Sequence, residues 1–279
     1  MAQHGLVKKV FNNNYDITNL GAILFAKNLN DFSTVKRKSI RIVTYKGGFR
    51  EDRIGEQEYS AGYAVIFDTL INYVNDKLPH HDEITSTFRK TIRMYPEVAV
   101  REFIANSLIH QDLSIRGAGT MIEIFDKRIE ITNTGKPLID TDRFIDHPPK
   151  SRNEDLASFM RQANYCEESG MGIDKALKSI AKYHLPAPNF CEYDDFTRVT
   201  LYAYQELRDM SIEDRVRTCY QHCVLGHLEN IKMTNMTLRE RFGVGEKKYT
   251  TISAIIKLAL RNGLIKESDK PKEYIPIWA

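Results

Sequence analysis

Tyr95–Asp112, YPEVAVREFIANSLIHQD, is the stretch around which the 279-residue chain is organised. Glu102, Asn106 and His110 stand at i, i+4 and i+8. At about 100° per residue they fall within roughly 80° of one another on a helix. A carboxylate, an amide and an imidazole then share one stripe. Val98, Ile104, Ala105, Leu108 and Ile109 fill the adjoining arc, which predicts a helix buried on one side. Pro96 belongs in its first turn, where the absent N–H leaves nothing unpaired.

A carboxylate four residues before an amide suits nucleotide chemistry. Glu102 can accept a proton from an attacking water, and the neutral oxygen of Asn106 can ligate Mg2+ that bridges phosphates. Standing alone, the spacing also fits an ordinary amphipathic helix with its polar face in solvent. Further segments favour the first reading. Residues 121–135, MIEIFDKRIEITNTG, read as two strands with a turn near Asp126 and Lys127. They run into Asn133–Pro137, NTGKP, where Gly135 permits a close backbone approach. SRNEDLASFM follows a break at Pro148 and Pro149 and predicts a helix starting near Asn153. Arg152 and Asn153 are candidates for positioning a lid or phosphates, with helix capping by Asn153 as the alternative. ESGMGIDKALKSIAKYH sets Gly170 and Gly172 ahead of an amphipathic helix, whose N-terminal N–H groups and dipole favour a phosphate. DDFTRVTLYAY is β-prone and reads as the strand that closes the sheet.

In that order, YPEVAVREFIANSLIHQD, IEIFDKRIEITNTGKPL, SRNEDLASFM and ESGMGI resemble the motifs of the GHKL ATPases, the superfamily of gyrase, heat-shock chaperone, histidine kinase and MutL. More closely, Tyr95–Ile173 resembles the divergent ATPase domain of RecG-like, Schlafen-linked transcriptional regulators. The resemblance extends from NLGAILFAK near the start to the tail. It implies a Bergerat-type α/β sandwich that binds ATP and Mg2+, with Glu102 as general base, Asn106 as metal ligand and His110 as a phosphate or lid contact. The superfamily's Asp-x-Gly-x-Gly motif, whose Asp accepts the adenine amino group, falls on Asn133–Pro137. Asn133 stands at the Asp and Pro137 at the second Gly; an amide oxygen still accepts that bond, more weakly than a carboxylate. Gly170 and Gly172 match the glycine element of the ATP lid, and Thr197 or Thr200 matches a late-strand threonine that touches phosphate or supports the adenine contact. The chain has no GxxxxGK[ST] phosphate loop, so the likeness to RecG does not imply a helicase.

From Ser211 the pattern turns to short helices: a serine-capped amphipathic run, a second ending at Gly243, and a third stopped at Gly263 before YIPIW returns as a strand. This predicts a winged helix-turn-helix over residues 211–279, with Glu246–Asn262 as recognition helix. Lys247, Lys248, Tyr249 and Thr250 would meet DNA at its start, and Lys257 and Arg261 further along; Lys266, Lys270 and Lys272 suit the wing. A protein-docking winged helix with solvated lysines is the alternative. Cys219, Cys223 and His227 share a helix face, with His222 nearby, and read as core packing ahead of a metal site.

With 42% hydrophobic and 28% charged residues the chain can bury one large core or two ordinary ones. The expected division is an N-terminal segment, 1–90, packing on the sheet of a nucleotide domain, 91–204, followed by the winged helix. No apolar run reaches the ~18 residues of a membrane span and four cysteines are too few for a disulfide framework, so a cytoplasmic protein is expected. From Gln205 onward there are 13 Lys and Arg against 10 Asp and Glu, so the whole net charge of +3 lies in the tail. So modest an excess predicts weak DNA binding by a monomer, hence a homodimer. The combined expectation is a DNA-binding transcriptional regulator controlled by ATP; an ATPase effector in nucleic-acid processing or defence, or a non-catalytic scaffold, are the alternatives.

Overall fold

The computed structural model describes residues 1–84, 89–167 and 171–279. A small hairpin, β1 (Val7–Lys9) and β2 (Tyr15–Ile17), leads into α1 (Asn19–Phe25). Thr18 caps that helix, its hydroxyl oxygen accepting the Gly21 N–H at 3.1 Å. Then come β3 (Ile40–Tyr45), β4 (Arg53–Tyr59) and α2 (Tyr63–Lys77), which stops ahead of Pro79. A two-stranded ribbon, β5 (His80–Ile84) and β6 (Arg89–Arg93), precedes α3 (Glu97–Ile109), the helix of the Glu102 stripe. Next are β7 (Met121–Phe125), β8 (Arg128–Thr134), α4 (Glu154–Gln162), α5 (Gly172–Lys182), β9 (Asn189–Glu192) and β10 (Phe196–Tyr202).

Six of these strands form one sheet in the order β4-β3-β7-β8-β10-β9, with β3 parallel to β7 and every other pair antiparallel. The boundary expected at residue 90 is therefore crossed by the sheet: β3 and β4 are hydrogen-bonded members of it, not a layer laid upon it. A parallel neighbour needs a long crossover, and α2, the ribbon and α3 supply it. DDFTRVTLYAY is an interior strand as well, because β9 pairs outside it. Alternation sets the two faces. Ile122, Ile124, Ile129 and Ile131 turn to the helices and are all within 2% of full burial. Glu123 and Glu130 turn to the other face, where Arg50 binds both, at 2.6 and 2.9 Å.

α3 packs against α2, α4, α5 and β8. Its buried side is Ala99, Val100, Phe103, Ile104, Ala105, Leu108 and Ile109. Val98, expected in that arc, is 53% exposed, although Ala99 and Val100 in the same first turn are fully buried. Pro96 is the N-cap and His110 the C-cap, so the stripe ends on the residue that closes the helix.

The last segment holds α6 (Ile212–Leu228), α7 (Asn235–Arg241), α8 (Tyr249–Arg261) and a hairpin of β11 (Ile265–Glu267) with β12 (Tyr274–Pro276). Met233 adds a single bridge to Tyr274. Cys219 and Cys223 are buried in this unit, with Cys219 Sγ 3.9 Å from Met233 Sδ. Burial pushes the Cys223 thiol up to about 12. No described helix is long and apolar enough to cross a membrane.

Lys38 is 1% exposed, and its ammonium donates to the carbonyls of Asp112, Ile115 and Ala118 at 3.1, 2.6 and 3.1 Å. Burial lowers its pKa, opposed by the charge of Asp112. This one side chain sets the connector between α3 and β7. Lys38→Met keeps the stem and strands three carbonyls, and is expected to cost about 3 kcal/mol in urea unfolding. A loss below about 1 kcal/mol would mean that water replaces the ammonium.

Candidate functional site

A cleft of about 850 Å³ opens between α3, the β8–β10 end of the sheet, residues 136–152 and the start of α5. That volume suits a ligand of nucleotide size. Glu102, Asn106 and His110 line it from α3, and Asn133 and Thr197 from paired positions of β8 and β10. Gly172 lines it from the first turn of α5.

Glu102 is half-buried. Its Oε1 accepts the Asn106 amide N–H at 3.1 Å, and the backbone N–H of Glu167 reaches the same carboxylate. Desolvation is the largest influence and raises its pKa, against those two donors. With Nδ2 engaged, Asn106 keeps Oδ1 for another partner. Gly172 closes on the carboxylate so tightly that a Cβ there would stand 1.9 Å from Oε1. Among the described residues no side chain caps α5, and Gly172 in its first turn sets the positive end of the helix dipole beside Glu102. Glu167 pairs with Lys175 at 2.6 Å. Gly170, the other glycine of the expected lid motif, lies outside the described residues, as does Glu168.

Asn133 is 7% exposed and donates through Nδ2 to the Thr134 carbonyl at 3.2 Å. Thr197 donates its hydroxyl to the Gly135 carbonyl at 2.7 Å, fixing the turn; Thr200 pairs with Glu130 and does not line the cleft. Gly135 does not line it either. Its φ of 98° and a Cβ that would lie 2.7 Å from Asp112 Cβ both require glycine, so the close approach is to Asp112 rather than to a ligand.

Arg152 lines the cleft, and the capping alternative for Asn153 is not met. Asn153 makes no cap bond to α4; its amide donates instead to the carbonyls of Ile109 and Gln111 at 2.7 and 2.9 Å. Arg152 donates to the His110 carbonyl at 3.1 Å and to that of Lys136. Together they tie the end of α3 to the NTGKP turn. Sequence reasoning also missed the apolar wall. Phe144 meets Phe190 at 5.3 Å between centroids and Phe190 meets Phe103 at 5.6 Å, edge to face, all three lining the cleft. Phe103 stands beside Glu102 in the sequence and was a readable signal; the distant Phe144 and Phe190 were not.

The DNA-contact candidates lie elsewhere, on α8 and the short turn before it. Lys247, Lys248, Tyr249, Thr250, Lys257 and Arg261 are all exposed. Thr250, Lys257 and Arg261 form one helical stripe away from the buried Ile252, Ile255 and Ile256. His227 and His222 are engaged separately, with the Trp278 ring and Thr237, and among the described residues no three His, Cys, Asp or Glu side chains gather as a metal site.

Residues 117–201 match the family model described as "Putative ATP-dependent DNA helicase recG C-terminal". That stretch holds β7 to β10, α4 and α5; it is ATPase-like and supports a divergent GHKL-type domain. The crystal structure of the DIP2311 protein from Corynebacterium diphtheriae is similar, with a TM-score of 0.58 and 16% identity over 96% of this chain and 55% of that one. At that identity the likeness is one of fold. The chain spans about half the length of that structure. No curated protein matches it.

Burial, with the charge of Arg152 behind it, lowers the His110 pKa from 6.5 to about 4, so the imidazole is neutral at pH 7. The unfolded chain binds the proton first, and stability is therefore lost as pH falls from about 6.5 toward 4. Between pH 7 and 5 the expected loss through His110 is about 2 kcal/mol. His110→Gln should remove that part of the slope in urea unfolding at the two pH values; an unchanged slope would place the acid sensitivity on another group.

Proposed function

We propose that the chain is a nucleotide-responsive DNA-binding regulator that takes Mg-ATP in the cleft and meets DNA through α8. The observation that carries the reading is the convergence of Glu102, Asn106, Asn133 and Thr197 on one cleft faced by the first turn of α5. The donor set fits the ligand. Asn106 Oδ1 is a neutral oxygen suited to Mg2+, which supplies positive charge to the phosphates when bound. Asn133 Oδ1 is left to accept an adenine amino group, because Nδ2 is held by Thr134. The aromatic wall suits the base. A carboxylate of raised pKa is a better base for activating water, which suits Glu102 to slow hydrolysis.

The three helices and terminal hairpin are read as a winged helix-turn-helix, with α8 as recognition helix and the exposed Lys270 and Lys272 on the wing. A homodimer would join two such weakly charged modules on one site. Nucleotide would alter their spacing, in a cytoplasmic transcriptional regulator.

Mg-ATP at 100 times its dissociation constant is expected to stabilise the folded chain by about 2.7 kcal/mol in a thermal-shift titration. Asn106→Ala should abolish the magnesium dependence, and Glu102→Gln should bind but not turn over. No shift with wild type, or an equal shift with Asn106→Ala, would count against the site.

Replacing Lys247 and Lys248 by Ala should weaken DNA of any sequence and lower the slope of log affinity against log salt by about two. Fluorescence anisotropy over a salt series reads this. An unchanged slope would make α8 a protein-docking surface.

A further inference from the structure

Residues 140–150 contain one short turn of 3-10 helix, Thr141–Arg143, yet they supply a wall of the cleft through Phe144, His147 and Lys150. What holds this wall comes from the C-terminal unit. Tyr220 on α6 donates its hydroxyl to the Asp142 carbonyl at 3.1 Å. Trp278 Nε1 donates to the same Tyr220 oxygen at 3.3 Å. The Arg143 guanidinium lies 4.8 Å from the centroid of the Trp278 ring while pairing with Asp146, whose side chain is 3% exposed.

We infer that Tyr220 and Trp278 are positioning residues for the cleft, holding Asp142 and Arg143 so that Phe144 stays against Phe190. The inference rests on the nucleotide reading of that cleft. The Asp146 carboxylate is desolvated and needs the guanidinium of Arg143 beside it. Arg143 is thus fixed from one side by charge and from the other by the indole face. The backbone between them is pinned by Tyr220. Phe144 follows directly and carries the constraint into the cleft, where its partner Phe190 touches Phe103 beside Glu102. A ligand that presses on this aromatic row moves Phe144, and the displacement reaches the indole through Arg143, one residue back.

Trp278 is the chain's single tryptophan, so intrinsic emission reports this place alone. Mg-ATP titrated into the full chain should change that emission with the midpoint found by calorimetry. Tyr220→Phe removes one hydroxyl, and is expected to weaken Mg-ATP about fivefold and to abolish the emission change at saturation. Emission that stays flat while calorimetry shows wild type saturating, or wild-type affinity in Tyr220→Phe, overturns the inference. Absence of any heat with wild type would remove the nucleotide reading, and the positioning is then judged without ligand. By hydrogen exchange, the amides of residues 142–147 should open about tenfold faster in Tyr220→Phe than in wild type, with α3 unchanged. Equal rates in that segment overturn the positioning itself.

Discussion

A helix that stops beneath a cleft leaves its last carbonyls without intrahelical donors, and at the end of α3 each one from Leu108 to Asp112 meets a side chain. Gln111 serves Leu108 at 3.0 Å. Asn153 serves Ile109 and Gln111, and Arg152 serves His110. Lys38 and Thr134 both serve Asp112, each at 3.1 Å. Two of these donors are cations, which the negative end of the helix dipole favours. The network reaches α2 too: Gln111 donates to the Tyr63 oxygen at 2.7 Å, and Tyr63 donates to the Lys38 carbonyl at 2.9 Å. Because the groups are buried, an unmade bond would cost about 1–3 kcal/mol, so the helix end has little freedom.

From that pinned end the geometry of the cleft follows. Glu102 and Asn106 lie two turns and one turn upstream of His110, so fixing the end fixes where they face. Arg152 also binds the Lys136 carbonyl, and Asp112 N–H donates to the Thr134 carbonyl at 2.7 Å. The Asn133 turn is therefore held to the same helix end as the Glu102 stripe. One clamp registers the two sides of the cleft.

The pieces readable in the sequence were those whose cause is local. The α3 stripe, the turn at Asp126 and Lys127, and the cap at Ser211 depend on neighbours within a few residues. Arg152 and Asn153 stood out as polar residues before a helix, but their acceptors lie some forty residues away and only the fold supplies them. Lys38 gave no signal, since a lone lysine usually lies at the surface. The parallel pairing of β3 with β7 depends on a crossover that no local pattern encodes. Gly135 was singled out for its backbone freedom, and the freedom serves Asp112.

α5 is gripped at both ends, and the two grips differ in kind. Beyond its C-terminal end the backbone from Leu185 to Pro188 is bound by α6 and α7. Arg241 donates to Leu185, Arg217 to Ala187 and Gln221 to Pro188, at 2.8, 3.1 and 2.9 Å, while Thr218 accepts the Ala187 N–H at 3.0 Å. Lys178 adds a pair with Glu229 at 2.6 Å. At the other end Gly172 rests on Glu102, a carboxylate whose raised pKa marks its charge as poorly solvated. Parting the first contact strands several buried backbone groups, each at about 1–3 kcal/mol, whereas at the second the carboxylate keeps the Asn106 amide beside it. The glycine end is therefore the more weakly held of the two. On the nucleotide reading, a phosphate at the start of α5 would meet Glu102 already there, so the anion and the carboxylate would compete for the same positive end of the helix.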